Sequence, residues 1–325
     1  PWYRCRGGGY LAGPGPVSAL FVVLLTGLLS ALLCAAYLSI ARKRNLLATP
    51  NERSSHTQPT PQGGGLPLFL AVFSGLALAA AAGTGWPPAL LAMSLAAVLL
   101  LTLGVLDDQR GLSMRLRLGA YALVTLPVAA YLLNGALSAQ PLVAVLLVSA
   151  ASLALLWLLN LYNFMDGIDG LAGLQAIIAC TGIAWLTRDG SHGGAYATYC
   201  LLLAAAHAGF LAWNWPPAKL FMGDAGSVPT GFLLGCLALF GYAQELVDPR
   251  CWLILLAVFI VEASWTLVWR KATGQAFTHA HPQHANQRQS RHSGSQRSED
   301  QLQLANALMW LLPQATATAK RPQHP

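Results

Sequence analysis

The chain has 325 residues, of which 55% are hydrophobic and 10% are charged, and its formal net charge is +7. Soluble domains usually carry about 25% charged residues, so this composition excludes a water-soluble domain and a disordered chain. The positive charge is spread thinly along the sequence, which excludes a nucleic-acid-binding module, and the expected surrounding is a lipid bilayer.

Apolar runs of roughly twenty residues recur along the chain, and this is the length of a helix that crosses a bilayer. They predict an all-α, polytopic membrane protein with about ten transmembrane helices. Nine runs are predicted as spans: 17–40, 66–82, 89–106, 118–134, 141–159, 171–187, 195–212, 228–246 and 251–269. A tenth run, 301–316, is more polar and is predicted either to span the membrane or to lie at its interface.

These spans organise the chain into one membrane-embedded domain, 17–316, between two tails. The amino-terminal tail, 1–16, is interpreted as a fragment or an extension, and the predicted carboxyl-terminal tail is 317–325. The six cysteines show neither disulfide nor zinc-ligand spacing and are predicted to be small packing residues. His207 lies inside an apolar run and is predicted to be packed between helices.

The distribution of Lys and Arg predicts the orientation of the spans, because cytoplasmic loops are enriched in both. Most of these residues fall on one side if the first span runs from outside to inside. The aspartates that lie in compact motifs fall on that same cytoplasmic side. Carboxylates gathered at a membrane face repel one another unless a cation lies among them, so we expect a divalent ion, Mg²⁺ or Mn²⁺. The aspartates are Asp107, Asp108, Asp166, Asp169 and Asp224.

The first cytoplasmic loop, 50–65, places Arg53 and His56 among hydroxyl side chains and prolines. It ends in three glycines directly before an apolar run. A flexible linker would carry more Gly and Ser and fewer prolines, so the pattern favours a shaped loop that faces phosphate.

Asp107 and Asp108 stand at the carboxyl end of a predicted helix, where the helix dipole disfavours negative charge. One interpretation is the solvated start of a loop. The other is metal or phosphate chemistry, with Arg115 and Arg117 as phosphate partners.

The stretch 160–171 repeats polar residues at every third position, and these residues share one face if the stretch is helical. A polar seam between helices is the structural alternative, although a seam does not need two acids. The polar residues are Asn160, Asn163, Asp166 and Asp169.

Asp224 lies in a glycine-flanked turn that opens a predicted helix, and such a turn offers backbone N–H groups to phosphate. Asp224 could equally be a plain N-cap. Upstream, Asn214, Trp215 and Lys219 could receive a nucleotide base and its phosphates, whereas Trp215 could instead anchor the chain at the interface.

The last predicted cytoplasmic loop carries His279, His281 and His284. Without a nearby cysteine or acid, a zinc site is disfavoured. Anion binding or metal support at the shared face fits these histidines better.

The paired aspartates, the 160–171 block and the stretch 214–227 occur in the order seen in the polyprenyl-phosphate N-acetylhexosamine-1-phosphate transferases, of glycosyltransferase family 4 type. The chain resembles that family over about 40–290. The loop at 51–65 looks most like the branch that initiates O-antigen or other surface-polysaccharide repeats. The resemblance implies that a sugar phosphate passes from a UDP-N-acetylhexosamine to undecaprenyl phosphate with release of UMP, in the presence of Mg²⁺.

The resemblance also implies roles for individual residues. It implies that Asp224 and Asn163 bind the metal. It implies that Asp107, Asp108 and Asp169 are catalytic, with Asp107 or Asp108 as the base or nucleophile. The expected location is the bacterial inner membrane with the active site at the cytoplasmic face. The resemblance implies substrate contacts for Asn160, Asn163, Asp166, His281 and His284. The residue patterns described above add further candidates for substrate binding, namely Arg53, His56, Arg115, Arg117, Asn214 and Lys219.

The sequence leaves the oligomeric state, the number of chemical steps and an alternative function open. A homodimer is one option for the oligomeric state. Transfer in one step and transfer through a covalent aspartyl intermediate are both compatible with these residues. An ion-coupled secondary transporter is the alternative function, although transporter sites lie nearer the bilayer midplane than these aspartates do.

Overall fold

The computed structural model describes residues 16–44, 47–48, 60–134, 140–188, 194–261 and 264–265. This part of the chain forms helices, short connections and one small strand pair, β1 Leu47–Ala48 with β2 Thr60–Pro61. The strands are antiparallel, with Leu47 opposite Pro61, and the sequence did not predict them. The helices are α1 Pro16–Lys43, α2 Gly65–Ala81, α3 Pro88–Arg110, α4 Met114–Leu133, α5 Pro141–Met165, α6 Leu171–Thr187, α7 Gly194–Asn214, α8 Asp224–Ala243 and α9 Pro249–Leu255.

Six of the described helices are long and apolar enough to cross a membrane, namely α1, α3, α4, α5, α7 and α8. The helices α2 and α6 are also apolar and have 17 residues each. Large apolar side chains such as Leu95, Leu123 and Leu142 lie exposed on the outside of the bundle, as expected where lipid is the solvent. The chain is therefore an all-α, multi-pass membrane protein. The count of about ten spans and the side that the site faces stay predictions.

Helices in a bilayer pack closely where small residues line their contact, because lipid supplies little hydrophobic driving force for their association. A Cβ added to Gly209 of α7 would lie 2.1 Å from the carbonyl oxygen of Gly27 in α1. At Gly231 of α8 it would lie 2.6 Å from Cβ of Tyr162 in α5. These contacts bring α7 against α1 and enclose α8 between α3 and α5.

The predictions for His207 and the cysteines are confirmed in the described residues. His207 is fully buried between α7 and α8, with Nδ1 2.8 Å from the Leu203 carbonyl and Nε2 3.1 Å from Thr230 Oγ1. The five described cysteines are free and buried.

Eight of the predicted spans are confirmed as helices, but several continue further at one end of the bundle. We call this the acidic end; it is formed by the carboxyl ends of α1, α3, α5 and α7 and the amino ends of α2, α4, α6 and α8. There α5 runs to Met165 instead of 159, α3 runs to Arg110 instead of 106, and α8 begins at Asp224 instead of 228. Hydropathy marks only the apolar part of each helix, whereas the backbone stays helical through the polar residues that follow.

The ninth predicted span, 251–269, is not continuous. Helix α9 ends at Leu255, a turn follows at Leu256, and helical residues resume at 257–261. The prediction of one unbroken span is wrong at this point. Of the remainder of that span, 264–265 are helical, and 262–263 and 266–269 lie outside the described residues, as do the run 301–316 and the tail 317–325.

Candidate active site

Asp107 lies in the last turn of α3, and the chain that follows holds its carboxylate. Gly111 closes the helix with a φ of 65°, in the left-handed region that glycine adopts most readily. The N–H of Leu112 donates to Asp107 Oδ1 at 2.6 Å, and Arg117 Nη1 donates to Oδ2 at 2.7 Å. The short connection to α4 thus folds Arg117 back over Asp107.

Asp108, the next residue, joins α3 to the amino end of α8. Its Oδ1 accepts the N–H of Asp224 at 2.9 Å, and its Oδ2 accepts the N–H of Ala225 at 3.1 Å. Gln62 Nε2 also donates to Oδ1, at 2.7 Å. Gly223 has a φ of 71°, and a Cβ there would lie 2.6 Å from Asp108 Oδ2. Only glycine at this position allows the carboxylate to approach so closely.

The same contacts correct one expectation. We expected the glycine-flanked turn before α8 to offer free backbone N–H groups to phosphate. In this structure Asp108 occupies the first two of them, and the N–H of Gly226 and the N–H of Ser227 both donate to the Gly223 carbonyl. A side chain from α3 therefore takes the position that was expected for a phosphate.

Asp224 is the first residue of α8, and the N-cap is Gly223, so the alternative role of Asp224 as the N-cap is wrong. Asn163 Nδ2 donates to Asp224 Oδ1 at 2.7 Å and to Ser227 Oγ at 2.8 Å. Arg117 Nη1 donates to Asp224 Oδ2 at 3.1 Å. Helices α4, α5 and α8 meet at this one carboxylate.

The 160–171 block is helical only in its first half. Asn160 and Asn163 lie in the last turns of α5, Asp166 caps the helix, and Asp169 lies in the turn before α6. Asp169 is buried and its Oδ2 accepts the N–H of Ala218 at 2.8 Å, which ties this turn to the connection between α7 and α8. Asn160 donates to the carbonyl of Leu156, one turn earlier in its own helix, at 2.6 Å.

Asp166 lies close to the other carboxylates just beyond the end of α5. Removal from water is the main cause that raises its pKa well above the usual range, and the negative charges of Asp224, Asp108 and Asp169 raise it further. Burial thus dominates the shift of the pKa of Asp166, and the neighbouring carboxylates add to it.

The segment before α2 pairs with the segment before α8. The N–H of Phe221 donates to the Pro61 carbonyl at 2.9 Å, and those of Gly64 and Gly65 donate to the carbonyls of Phe221 and Met222 at 2.8 and 2.9 Å. The end of the glycine-rich loop is thereby fixed beside Asp108 and Asp224.

The other predicted binding residues are less directly connected to this cluster. Asn214 is buried, and its amide accepts the N–H of Gly170 at 2.9 Å and donates to the Leu220 carbonyl at 3.0 Å. Arg115 and Lys219 are exposed. Four predicted site residues lie outside the described residues: Arg53, His56, His281 and His284.

Two residues of the cluster were not predicted. Gln62 contacts Asp108, and Ser227 contacts Asn163. Ser227 could have been found from the sequence, because it lies three residues after Asp224 and hence on the same helix face. Nothing in the sequence distinguishes Gln62 from its polar neighbours.

Among the described residues, no three His, Cys, Asp or Glu side chains are arranged to hold a metal ion. Asp107 Oδ2 and Asp224 Oδ2 nevertheless converge on one cationic atom, Nη1 of Arg117. Mg²⁺ in proteins is often bound by one or two carboxylates, with waters and substrate phosphates completing its shell. Two carboxylates at this spacing would suit an ion of that kind.

Comparisons with known proteins place this cluster in context. The model of the family described as glycosyl transferase family 4 matches residues 90–242, which include Asp107, Asp108, Arg117, Asn163 and Asp224. A decaprenyl-phosphate N-acetylglucosaminephosphotransferase of Mycolicibacterium smegmatis is 29% identical over 68% of this chain and 59% of its own length.

Two further relatives have related names. A probable undecaprenyl-phosphate N-acetylglucosaminyl 1-phosphate transferase of Bacillus subtilis is 28% identical over 77% of this chain and 72% of its own length. A decaprenyl-phosphate N-acetylglucosaminephosphotransferase of Mycobacterium tuberculosis is 31% identical over 60% of this chain. The chain spans 59% and 53% of the lengths of the two mycobacterial relatives.

Proposed function

The chain belongs to the polyprenyl-phosphate N-acetylhexosamine-1-phosphate transferases, and on this basis we propose that it transfers N-acetylhexosamine 1-phosphate from a UDP-sugar to undecaprenyl phosphate. The products are a polyprenyl-diphosphate-linked sugar and UMP. We place the reaction at the first membrane step of O-antigen or other surface-polysaccharide synthesis. The matched family and relatives give no support to the transporter alternative.

The observation that carries this proposal is the meeting of three helices at Asp224. Asn163 from α5 and Arg117 from α4 both donate to its carboxylate, and Asp108 from α3 holds the backbone on which Asp224 stands. The cluster lies at the end of apolar helices, where a lipid-anchored phosphate and a water-soluble nucleotide sugar can meet. A polar cluster that only held helices together would not need several carboxylates, because ionisable groups beside lipid are energetically costly.

The reaction is a phosphoryl transfer. A non-bridging oxygen of the acceptor phosphate attacks the phosphorus that carries the sugar, and the bond from this phosphorus to the bridging oxygen of the donor breaks, so UMP leaves with the bonding electrons. The acceptor needs little help from a base, because a phosphate monoester is largely dianionic near neutral pH. The protein's main tasks are therefore to position two phosphates and to offset their charge.

We assign these tasks to the residues of the cluster. Arg117, with its planar guanidinium, suits the donor diphosphate. Asp224 and Asp107 would hold Mg²⁺, with Asn163 beside them. When bound, Mg²⁺ supplies charge neutralisation on the diphosphate as UMP departs.

A covalent route remains the rival within the same function. In that route an aspartate attacks first, and the acceptor then displaces it. Both oxygens of Asp108 accept backbone N–H groups, and the two oxygens of Asp107 accept the Leu112 N–H and Arg117 Nη1, so either carboxylate would have to give up a hydrogen bond before it attacked. A chiral phosphorus in the donor separates the routes, because one displacement inverts it and two retain it.

We propose that the acidic end faces the cytoplasm of a bacterial cell, since Lys and Arg are concentrated in the loops on this side. This orientation gives the site direct access to soluble UDP-sugars. The membrane would then be the inner membrane.

The direct test uses the purified full chain with undecaprenyl phosphate, Mg²⁺ and a panel of UDP-sugars that begins with UDP-N-acetylglucosamine, while released UMP is measured. We expect release with one N-acetylhexosamine donor and its loss in Asp224→Asn. Asp248→Asn is the matched control, because Asp248 lies outside the acidic end and pairs with Arg250 at the start of α9. Full activity in Asp224→Asn, or no UMP with any donor, would contradict the proposal.

A further inference from the structure

Arg117 occupies an unusual position for a substrate-binding residue, because its guanidinium already forms ion pairs with carboxylates of the protein. Its Nη1 lies 2.7 Å from Asp107 Oδ2 and 3.1 Å from Asp224 Oδ2. The side chain of Arg117 is 30% exposed, whereas those of Asp107 and Asp224 are 7% and 21% exposed. One nitrogen thus bridges two carboxylates that are largely shielded from water.

Within the cluster of side chains around Arg117, the charges do not balance in this arrangement. In the described cluster Arg117 is paired with two carboxylates, those of Asp107 and Asp224, and further carboxylates lie beside them. The surplus of negative charge favours a further cation. The carboxylates are those of Asp107, Asp108, Asp166, Asp169 and Asp224.

A divalent ion and the guanidinium cannot share this place. Mg²⁺ binds oxygen at about 2.0–2.1 Å, so an ion held jointly by Asp107 and Asp224 would need the space that Nη1 of Arg117 fills. Like charges at that separation also repel strongly. The guanidinium must therefore leave both carboxylates before the ion can bind between them.

We propose that Arg117 is an exchangeable counter-cation, which holds Asp107 and Asp224 together in the empty enzyme and moves onto the donor diphosphate when a divalent ion takes its place. This inference rests on the proposed function. Guanidinium binds carboxylate and phosphate with the same planar fork, so Arg117 exchanges one set of charge-assisted hydrogen bonds for another. The exchange keeps like charges from meeting while the site is empty and delivers a cation to the substrate when the site fills.

The exchange predicts effects of opposite sign in a single variant. Arg117→Met keeps the apolar stem and removes the competing charge, so the purified full chain should bind Mn²⁺ roughly tenfold more tightly in the absence of nucleotide. The same variant should bind UDP roughly tenfold more weakly when Mn²⁺ is saturating, because a charge-assisted contact to phosphate is lost. Electron paramagnetic resonance of free Mn²⁺ measures the first constant, and equilibrium dialysis of labelled UDP measures the second.

The controls separate this inference from the function on which it rests. Arg110→Met removes an exposed cation from the last turn of α3 and should change neither constant. Arg117→Gln should repeat the result of Arg117→Met, which guards against a folding defect in one variant. Asp224→Asn should abolish the tight Mn²⁺ binding of the Arg117→Met variant.

The proposed exchange is overturned if both Arg117 variants show unchanged, weaker or absent Mn²⁺ binding. It is also overturned if their affinity for UDP is unchanged. These outcomes leave the release of UMP by the wild-type chain untouched. Failure of the inference is therefore distinguishable from failure of the proposed function.

Discussion

The carboxylate of Asp108 on α3 accepts the backbone N–H of Asp224 at 2.9 Å and so acts as an N-terminal cap supplied to α8 by another helix. Asp108→Ala leaves the N–H groups of Asp224 and Ala225 without this acceptor. We expect a loss of about 1–2 kcal/mol in the free energy of unfolding, since this is the usual cost of a missing cap or an unpaired buried donor. Unfolding by sodium dodecyl sulfate in mixed micelles measures it.

Asp108→Asn distinguishes capping from charge. The amide keeps one acceptor oxygen, so it should recover part of the stability lost in Asp108→Ala. A variant Asp108→Ala as stable as the wild type would show that the cap contributes nothing.

Gly223→Ala tests whether this close approach matters for activity. The new Cβ would lie 2.6 Å from Asp108 Oδ2 on a backbone with a φ of 71°, so either the carboxylate or the start of α8 must move. We expect UMP release to fall by roughly 100-fold or more, because displacements of about 1 Å in a catalytic site have effects of that size. Released UMP per enzyme, at saturating substrates, is the measurement.

Gly83→Ala is the matched control for backbone strain. Gly83 has a φ of 97°, yet a Cβ there meets nothing within 4 Å. Its replacement should cost about 1–2 kcal/mol of stability through the left-handed backbone alone and should leave activity close to that of the wild type. Equal activity losses in the two variants would assign the effect to strain and not to Asp108.

The spans could be predicted from the sequence, because bilayer length and hydropathy are local properties. The gathering of the aspartates at one end could also be predicted, since alternating spans place Asp107 and Asp224 on one side. The predicted helix boundaries at that end agree less well with the structure. The predicted span ends at 159, whereas α5 continues to Met165 and so places the amide of Asn163 against α8.

The partners of each aspartate could not be predicted from the sequence. The capping of α8 by Asp108 depends on the close packing of α3 against α8, where a Cβ on Gly104 would lie 2.5 Å from the Asp224 carbonyl oxygen. The bridge from Arg117 to two carboxylates depends on the tight turn at Gly111. Both are tertiary contacts, and neither segment carries a sequence pattern that identifies its partner.

Removal of divalent ions tests the metal assignment. We expect EDTA to abolish UMP release and added Mg²⁺ to restore it, because Asp224 and Asp107 would otherwise hold only the Arg117 guanidinium. A parallel sample that receives EDTA already saturated with Mg²⁺ controls for effects of the chelator itself. Full turnover in EDTA would remove the ion from the mechanism.

Cysteine labelling tests the side of the membrane that the acidic end faces. Gln109 is exposed next to the paired aspartates, whereas Gln140 is exposed at the opposite end of the bundle, before α5. In intact cells, a membrane-impermeant maleimide should label Gln140→Cys and should label Gln109→Cys only after the membrane is opened. The five described native cysteines are buried, so they should contribute little background. Labelling of Gln109→Cys in intact cells would place the aspartates outside, where cytoplasmic UDP-sugars do not reach them, and the proposed reaction could then not proceed as written.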